Sequence, residues 1–201
     1  CDYPEIIRDE IVYQNNFDTS NTEGISGGKI SFFNNTNVLG NFNNDGFTIH
    51  VDEIGPHTYF EISFDLYIHG SWDGNRNGFS ENDKPDKWIV EAYPEMPQYT
   101  DESNNKFITT FSNSPCWTDY CLRQSYPNNF PFENIPKTGH IDDGLDNICE
   151  NNFFGGPTTM YKFEKIFNSS GNSVIVRIYD ELYQPNAIDI NGINQQKCDE
   201  S

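Results

Sequence analysis

The chain has 201 residues and a formal net charge of -19, from 31 acidic and 12 basic residues. Such an acidic chain repels the phosphates of DNA and RNA, which excludes nucleic acid as a partner. Aromatic residues make up 15% of the sequence, which is enough bulky apolar surface to build a core. The length suits a single β-sandwich domain, which we predict over residues 12–201.

In chain order, residues 1–11 are predicted to be a tether, followed by strands at residues 29–33 and 47–51. Between these strands, residues 41–46 (Asn-Phe-Asn-Asn-Asp-Gly) predict a hairpin turn, because Asn, Asp and Gly tolerate positive φ.

The clearest strand signal covers residues 58–69, where apolar and polar side chains alternate with a period of two. One face is therefore expected to lie in the core: Phe60, Ile62, Phe64, Leu66 and Ile68. Further strands are predicted at residues 88–92, 107–111, 160–167 and 174–183, and no helix is predicted. Long loops are expected at residues 70–87, 93–105 and 112–157, and loops of that length often bind partners.

Four segments together resemble the signature of a jelly-roll, concanavalin-like family of bacterial exported proteins. They are FDLYIHGSWDGN (residues 64–75), PDKW (residues 85–88), TTFSN (residues 109–113) and QSYP (residues 124–127). The resemblance implies an all-β jelly-roll sandwich with long loops, at the cell surface. It implies no reaction, because sandwich folds host many functions.

The first residue, Cys1, is followed by the acidic residues Asp2, Glu5, Asp9 and Glu10. This arrangement resembles the start of mature surface lipoproteins of the Bacteroidota, which carry acyl chains on such a cysteine. The resemblance implies a lipid anchor on Cys1 and a place on the outer face of the outer membrane. The alternative is a chain that merely happens to start at a cysteine.

Setting Cys1 aside leaves an even number of cysteines, as expected of a disulfide-bonded exported domain. Cys116 and Cys121 enclose only four residues, which favours a local bridge and leaves Cys149 to pair with Cys198. Zinc binding by the close pair is less favoured, because no second close pair completes four ligands.

Residues 73–78 (Asp-Gly-Asn-Arg-Asn-Gly) fit the first six positions of a calcium loop with oxygen ligands. The twelfth position, usually an acid, is Lys84, so nearby carboxylates would have to complete the site. The predicted ligands are Asp73, Asn75, Asn77, Asp83 and Asp86. The alternative is a solvated polar turn. Residues 142–147 form a second, weaker candidate.

Four aromatic residues of the long loops are predicted to bind a partner: Trp72, Trp117, Tyr120 and Tyr126. The same loops carry Phe130, Phe132, Phe153 and Phe154, which also suit docking. The alternative for all of these rings is plain packing of the loops. Glu61 and Asp65 share a strand face but should lie about 13 Å apart, too far for a glycosidase pair. The first hypothesis is therefore a non-enzymatic surface lipoprotein that docks onto an outer-membrane protein assembly. The alternatives are a carbohydrate-binding module, in which Trp72, Trp88 or Trp117 stacks on a sugar beside calcium, and a glycoside hydrolase with carboxylates from distant strands.

Overall fold

The structure, a computed structural model, describes residues 10–76, 84–94, 105–116, 118–146 and 158–183. These ranges contain strands and turns but no helix, so none that could cross a membrane, and the predicted all-β class is confirmed. The strands of the described ranges are β1 (Ile25–Ser26), β2 (Ile30–Phe33), β3 (Thr36–Leu39), β4 (Gly46–Val51), β5 (His57–Ile68), β6 (Lys87–Tyr93), β7 (Lys106–Thr109), β8 (His140–Leu145), β9 (Thr158–Gly171) and β10 (Val174–Glu181).

Every neighbouring pair of these strands is antiparallel. A five-stranded sheet has the order β1-β4-β10-β6-β7, a three-stranded sheet has the order β5-β9-β8, and β2 pairs with β3 alone. The strands β9 and β10 follow each other in the chain but belong to different sheets. The chain therefore changes sheets across residues 172–173.

The core lies between the five-stranded and three-stranded sheets. The apolar face predicted for residues 58–69 does point inward, with Ile68 buried and the other four side chains packed against the buried cluster. The ring of Trp88 on β6 meets Phe163 on β9 at 4.9 Å and Phe64 on β5 at 6.0 Å between centroids. These contacts join the two sheets face to face, in a sandwich-like arrangement.

The predicted hairpin turn at residues 41–46 is wrong. The structure instead pairs β2 with β3 through Asn34 and Asn35, which have φ of 47° and 60°. Two positive φ values in a two-residue loop are the requirement of a tight hairpin, and Asn accepts them readily. As a result, β4 does not pair with β2 and pairs with β1 and β10 instead.

The strand β8 was missed, because residues 112–157 were predicted to be one long loop. It pairs with β9 at the edge of the three-stranded sheet, and its first five residues are exposed. An exposed edge strand needs no apolar alternation, so its sequence carries no strand signal. The acidic segment at residues 142–147 is consequently strand through Leu145, where a polar loop was expected.

Two buried ionisable groups lie near the same end of the sandwich. His69 follows β5, lies 2.7 Å from the hydroxyl of Thr158 and packs against the ring of Phe33. Burial lowers the pKa of His69 to about 4. Asp180 on β10 accepts the N–H of Asp45 at 2.9 Å, and burial raises its pKa to about 6.

These two groups predict opposite dependences of stability on pH. The contribution of His69 to the free energy of unfolding increases as pH rises from about 4 to 6.5, because the folded protein keeps this ring neutral. The contribution of Asp180 decreases as pH rises from about 4 to 6, because burial disfavours its ionised form. Each contribution is on the order of 3 kcal/mol, and the two oppose each other in the native protein. Relative to wild type, His69→Gln should become less stable and Asp180→Asn more stable as pH rises from 4 to 6.

Urea unfolding at several pH values measures both slopes. A His69→Gln profile parallel to that of wild type would contradict the assignment for His69, and the same test holds for Asp180→Asn.

Candidate functional site

The sandwich core continues past the ends of the strands into the long loops. Phe111, two residues beyond β7, contacts the rings of Trp88 and Trp72 at 6.0 Å and 5.9 Å. It also contacts Tyr126 at 5.0 Å and Tyr161 at 4.7 Å. This aromatic column, made of Phe163, Trp88, Phe111, Trp72, Tyr126 and Tyr161, extends the core of the sandwich into the loops.

The side chain of Gln124 is fully buried beside the aromatic column. Its amide group donates to two carbonyl oxygens, and its oxygen accepts two backbone N–H groups and one phenol. These partners are the carbonyls of Tyr126 and Thr138, the N–H groups of Ser112 and Lys137, and the hydroxyl of Tyr161. One side chain thereby satisfies polar groups of three separate loop segments and of β9.

A second set of hydrogen bonds joins Asn75 to the same loops. The amide oxygen of Asn75 accepts the hydroxyls of Thr110 and Ser125, the latter at 2.7 Å. The amide nitrogen donates to the carbonyl of Phe132 at 2.5 Å and to the carboxylate of Glu133 at 3.2 Å. Together with Gln124, these bonds hold loops that are long in sequence in one arrangement.

Three large apolar side chains of the loops are exposed. Tyr120 is 43% exposed, Phe132 49% and Ile135 58%, and we call them the loop-end patch. The guanidinium of Arg76 lies 5.1 Å from the ring centre of Tyr120. Phe132 and Ile135 flank Asn134, whose backbone pairs with that of Gln124. Phe132 and Ile135 therefore expose apolar surface on an ordered support.

The predicted binding aromatics divide between the core and the surface. Trp72 is 1% exposed and Tyr126 is 6% exposed, and both belong to the aromatic column. The expectation that they reach a ligand is corrected, because their rings are covered by other rings. Tyr120 does lie at the surface, and Trp117 lies outside the described residues. Ile135 was not among the predicted residues, and no periodicity distinguishes it from buried loop residues.

The structure joins Cys116 to Cys121 by a disulfide, with the two Cα atoms 4.4 Å apart, which confirms the local bridge. The predicted pairing of Cys149 with Cys198 and the lipid anchor on Cys1 lie outside the described residues. Both stay predictions.

The predicted calcium ligands have varied surroundings. Asn75 is occupied by the hydrogen bonds described above, and Asp86 is buried and accepts the N–H of Tyr183 at 2.6 Å. The backbone of Asp73 forms an antiparallel β-bridge with that of Ser112. The buried hydroxyl of Ser112 has no hydrogen-bond partner among the described residues. Asn77 and Asp83 lie outside those residues, and within them no group of three metal-binding side chains occurs. Calcium stays a prediction for this loop.

The outer face of the five-stranded sheet carries a polar cluster that sequence analysis missed. Glu91 on β6 is only 6% exposed, and its carboxylate accepts Lys106 at 2.6 Å and the hydroxyl of Tyr179 at 2.9 Å. Arg177 approaches the other carboxylate oxygen to 3.9 Å. Burial alone would raise the pKa of Glu91, but hydrogen bonds from Lys106, Tyr93 and Tyr179 hold it below its usual value. Four different strand positions meet here, so only pairing of β6, β7 and β10 could reveal the cluster.

Comparisons with known proteins do not assign a function to these surfaces. No protein family, curated protein or solved structure matches the chain.

Replacing Gln124 by Met is predicted to destabilise the protein by about 3 kcal/mol or more. The thioether has a similar size but leaves buried backbone N–H and C=O groups unsatisfied, each at a cost of about 1–3 kcal/mol. The matched control is Gln14→Met at an exposed position, which should stay within about 0.5 kcal/mol of wild type. Chemical unfolding measures both variants, and equal stabilities would show that Gln124 does not hold the loops.

Proposed function

We propose that this protein is a non-enzymatic binding protein that docks onto a protein partner through its loop-end patch. The observation that carries the proposal is the exposure of Tyr120, Phe132 and Ile135 on loops with a buried core. Protein interfaces are enriched in aromatic residues and Arg, and a few such residues commonly supply most of the binding free energy. Tyr120 with Arg76 beside it has that composition.

The support beneath the patch favours docking for an energetic reason. Binding is weakened when loops and side chains must be ordered at the interface, and preformed loops avoid part of that loss. The hydrogen bonds of Gln124 and Asn75 already order the segments on which Phe132 and Ile135 lie. The patch is thus prepared for a partner of complementary shape.

The charge of the chain indicates the chemistry of the partner's rim. With a net charge of -19, the protein attracts surfaces that carry basic residues and repels acidic ones. Asp119 and Glu133 are exposed next to patch residues in the chain. We therefore propose a partner with an apolar centre and a basic rim.

The proposed setting is the outer face of a bacterial outer membrane, with the domain a jelly-roll sandwich anchored through Cys1. The packed antiparallel sheets and the change of sheet between β9 and β10 are compatible with that topology. The anchor and the setting depend on the resemblance of the amino-terminal sequence and of residues 64–127. An intact mass of the native protein without acyl chains on Cys1 would contradict the anchor.

The carbohydrate-binding alternative loses two of its three tryptophans. Trp72 and Trp88 are 1% and 5% exposed, so neither ring offers a face to a sugar. Protein docking through the loop-end patch is therefore the better supported of the two for this end of the molecule.

The triple variant Tyr120→Ser, Phe132→Ser, Ile135→Ser should lose its partner. The native lipoprotein, purified from detergent-solubilised outer membranes, should carry a stoichiometric protein identifiable by mass spectrometry. Removal of three apolar anchors should weaken binding of that protein at least tenfold, equivalent to about 1.4 kcal/mol.

The matched control is Ile166→Ser with Ile141→Ser, two exposed side chains of the three-stranded sheet that are 60% and 55% exposed. The control should retain the partner. Retention by the triple variant, or equal loss in the control, would place the interface elsewhere.

A further inference from the structure

The outer face of the five-stranded sheet contains a shallow cavity of about 210 Å³. It lies over β1, β4 and β10, close to the polar cluster around Glu91. Its lining offers hydrogen-bond donors and acceptors, together with the aromatic residues Phe47 and Tyr179. The lining residues include Asn44, Asp45, Thr48, Arg177 and Tyr179.

The walls of this cavity are held in place by bonds on both sides. Glu91 accepts the hydroxyl of Tyr179 at 2.9 Å, and Arg177 lies 4.3 Å from the centre of the same ring. These two side chains of β10 are therefore oriented from β6, the neighbouring strand.

The opposite rim is the segment before β4, and it is tied to the end of β10. Asp45 donates its N–H to the carboxylate of Asp180 at 2.9 Å and accepts the N–H of Asp180 at 3.1 Å. The amide oxygen of Asn44 accepts the N–H of Leu182 at 2.8 Å. Preformed walls of this kind lower the ordering cost of binding a flexible polar ligand.

The chemistry of the lining suits a neutral molecule with many hydroxyl groups. Hydroxyls both donate and accept hydrogen bonds, so they can meet the carboxylate of Asp45 and the guanidinium of Arg177 at once. Asp45 and Arg177 carry opposite charges, so neither an anion nor a cation meets a lining of one sign. The centre of the Tyr179 ring already lies 4.3 Å from Arg177 and 5.9 Å from Lys106, so recognition of such a molecule depends on hydrogen bonds.

The volume limits how much of such a molecule can enter. Pockets for drug-sized ligands begin at roughly 300 Å³, and this cavity is smaller. It therefore accommodates one sugar unit, while the remainder of a chain would extend along the sheet face.

We propose that this cavity binds a hexose unit of a neutral glycan. The site is separate from the loop-end patch: the cavity lies over β1, β4 and β10, whereas residues 128–130, which lead into the patch, run beside β7 beyond β6. The two proposals can therefore fail independently.

Isothermal titration calorimetry with defined oligosaccharides tests the proposal on the intact chain. The neutral probes are hexasaccharides of glucose in β-1,4 and α-1,4 linkage, of mannose and of N-acetylglucosamine, with hexagalacturonate as the anionic comparator. At least one neutral probe should bind. Arg177→Gln should weaken that binding at least tenfold, and Thr48→Trp, which fills the cavity, should abolish it.

Two control variants lie on the outer face of the other sheet. Lys162→Gln removes a cation whose side chain is 53% exposed, close to the 57% of Arg177, and Ser63→Trp adds the same bulk at an exposed strand position. Both controls should bind within twofold of wild type. Binding of none of the neutral probes, binding of hexagalacturonate alone, or unchanged binding in Thr48→Trp would each overturn the proposal.

Discussion

The arrangement of strands and loops in the described residues depends on the packing of the aromatic column. Phe163 and Trp88 join the two sheets, and Phe111 carries the same packing out of the sandwich to Trp72 and Tyr126. Burial of each large ring stabilises the fold by about 2–3 kcal/mol. Because one continuous cluster spans the sandwich and the loops, neither part has a separate core.

Apolar packing alone would not order these loops, since their backbone carries polar groups that must be satisfied when buried. Gln124 and Asn75 provide that satisfaction from side chains, in place of a regular ladder of strand hydrogen bonds. The result is an irregular but ordered surface, in which Phe132 and Ile135 remain exposed although their neighbours are fixed. This combination makes the loop end suitable for docking.

The two sheets present different chemistry on their outer faces. The face of the five-stranded sheet carries Lys106 and Arg177 around the buried carboxylate of Glu91. The face of the three-stranded sheet carries Glu61, Asp65 and other exposed acidic groups. In a chain with a net charge of -19, the polar cluster around Glu91 concentrates cations next to the proposed glycan cavity, whereas the proposed protein interface depends on apolar side chains.

The all-β class, the inward face of β5 and the bridge between Cys116 and Cys121 could be predicted from the amino-acid sequence, because each depends on residues close together in the chain. The pairing of the strands depends on contacts between distant segments, which is why the hairpin expected at residues 41–46 does not form. Tertiary structure also buried Trp72 and Tyr126 among rings from distant segments, where sequence analysis had placed them at a binding surface. The strand β8 and the cluster around Glu91 were invisible in the sequence for the same physical reason: an edge strand and a cross-strand cluster are defined by neighbours that only folding brings together.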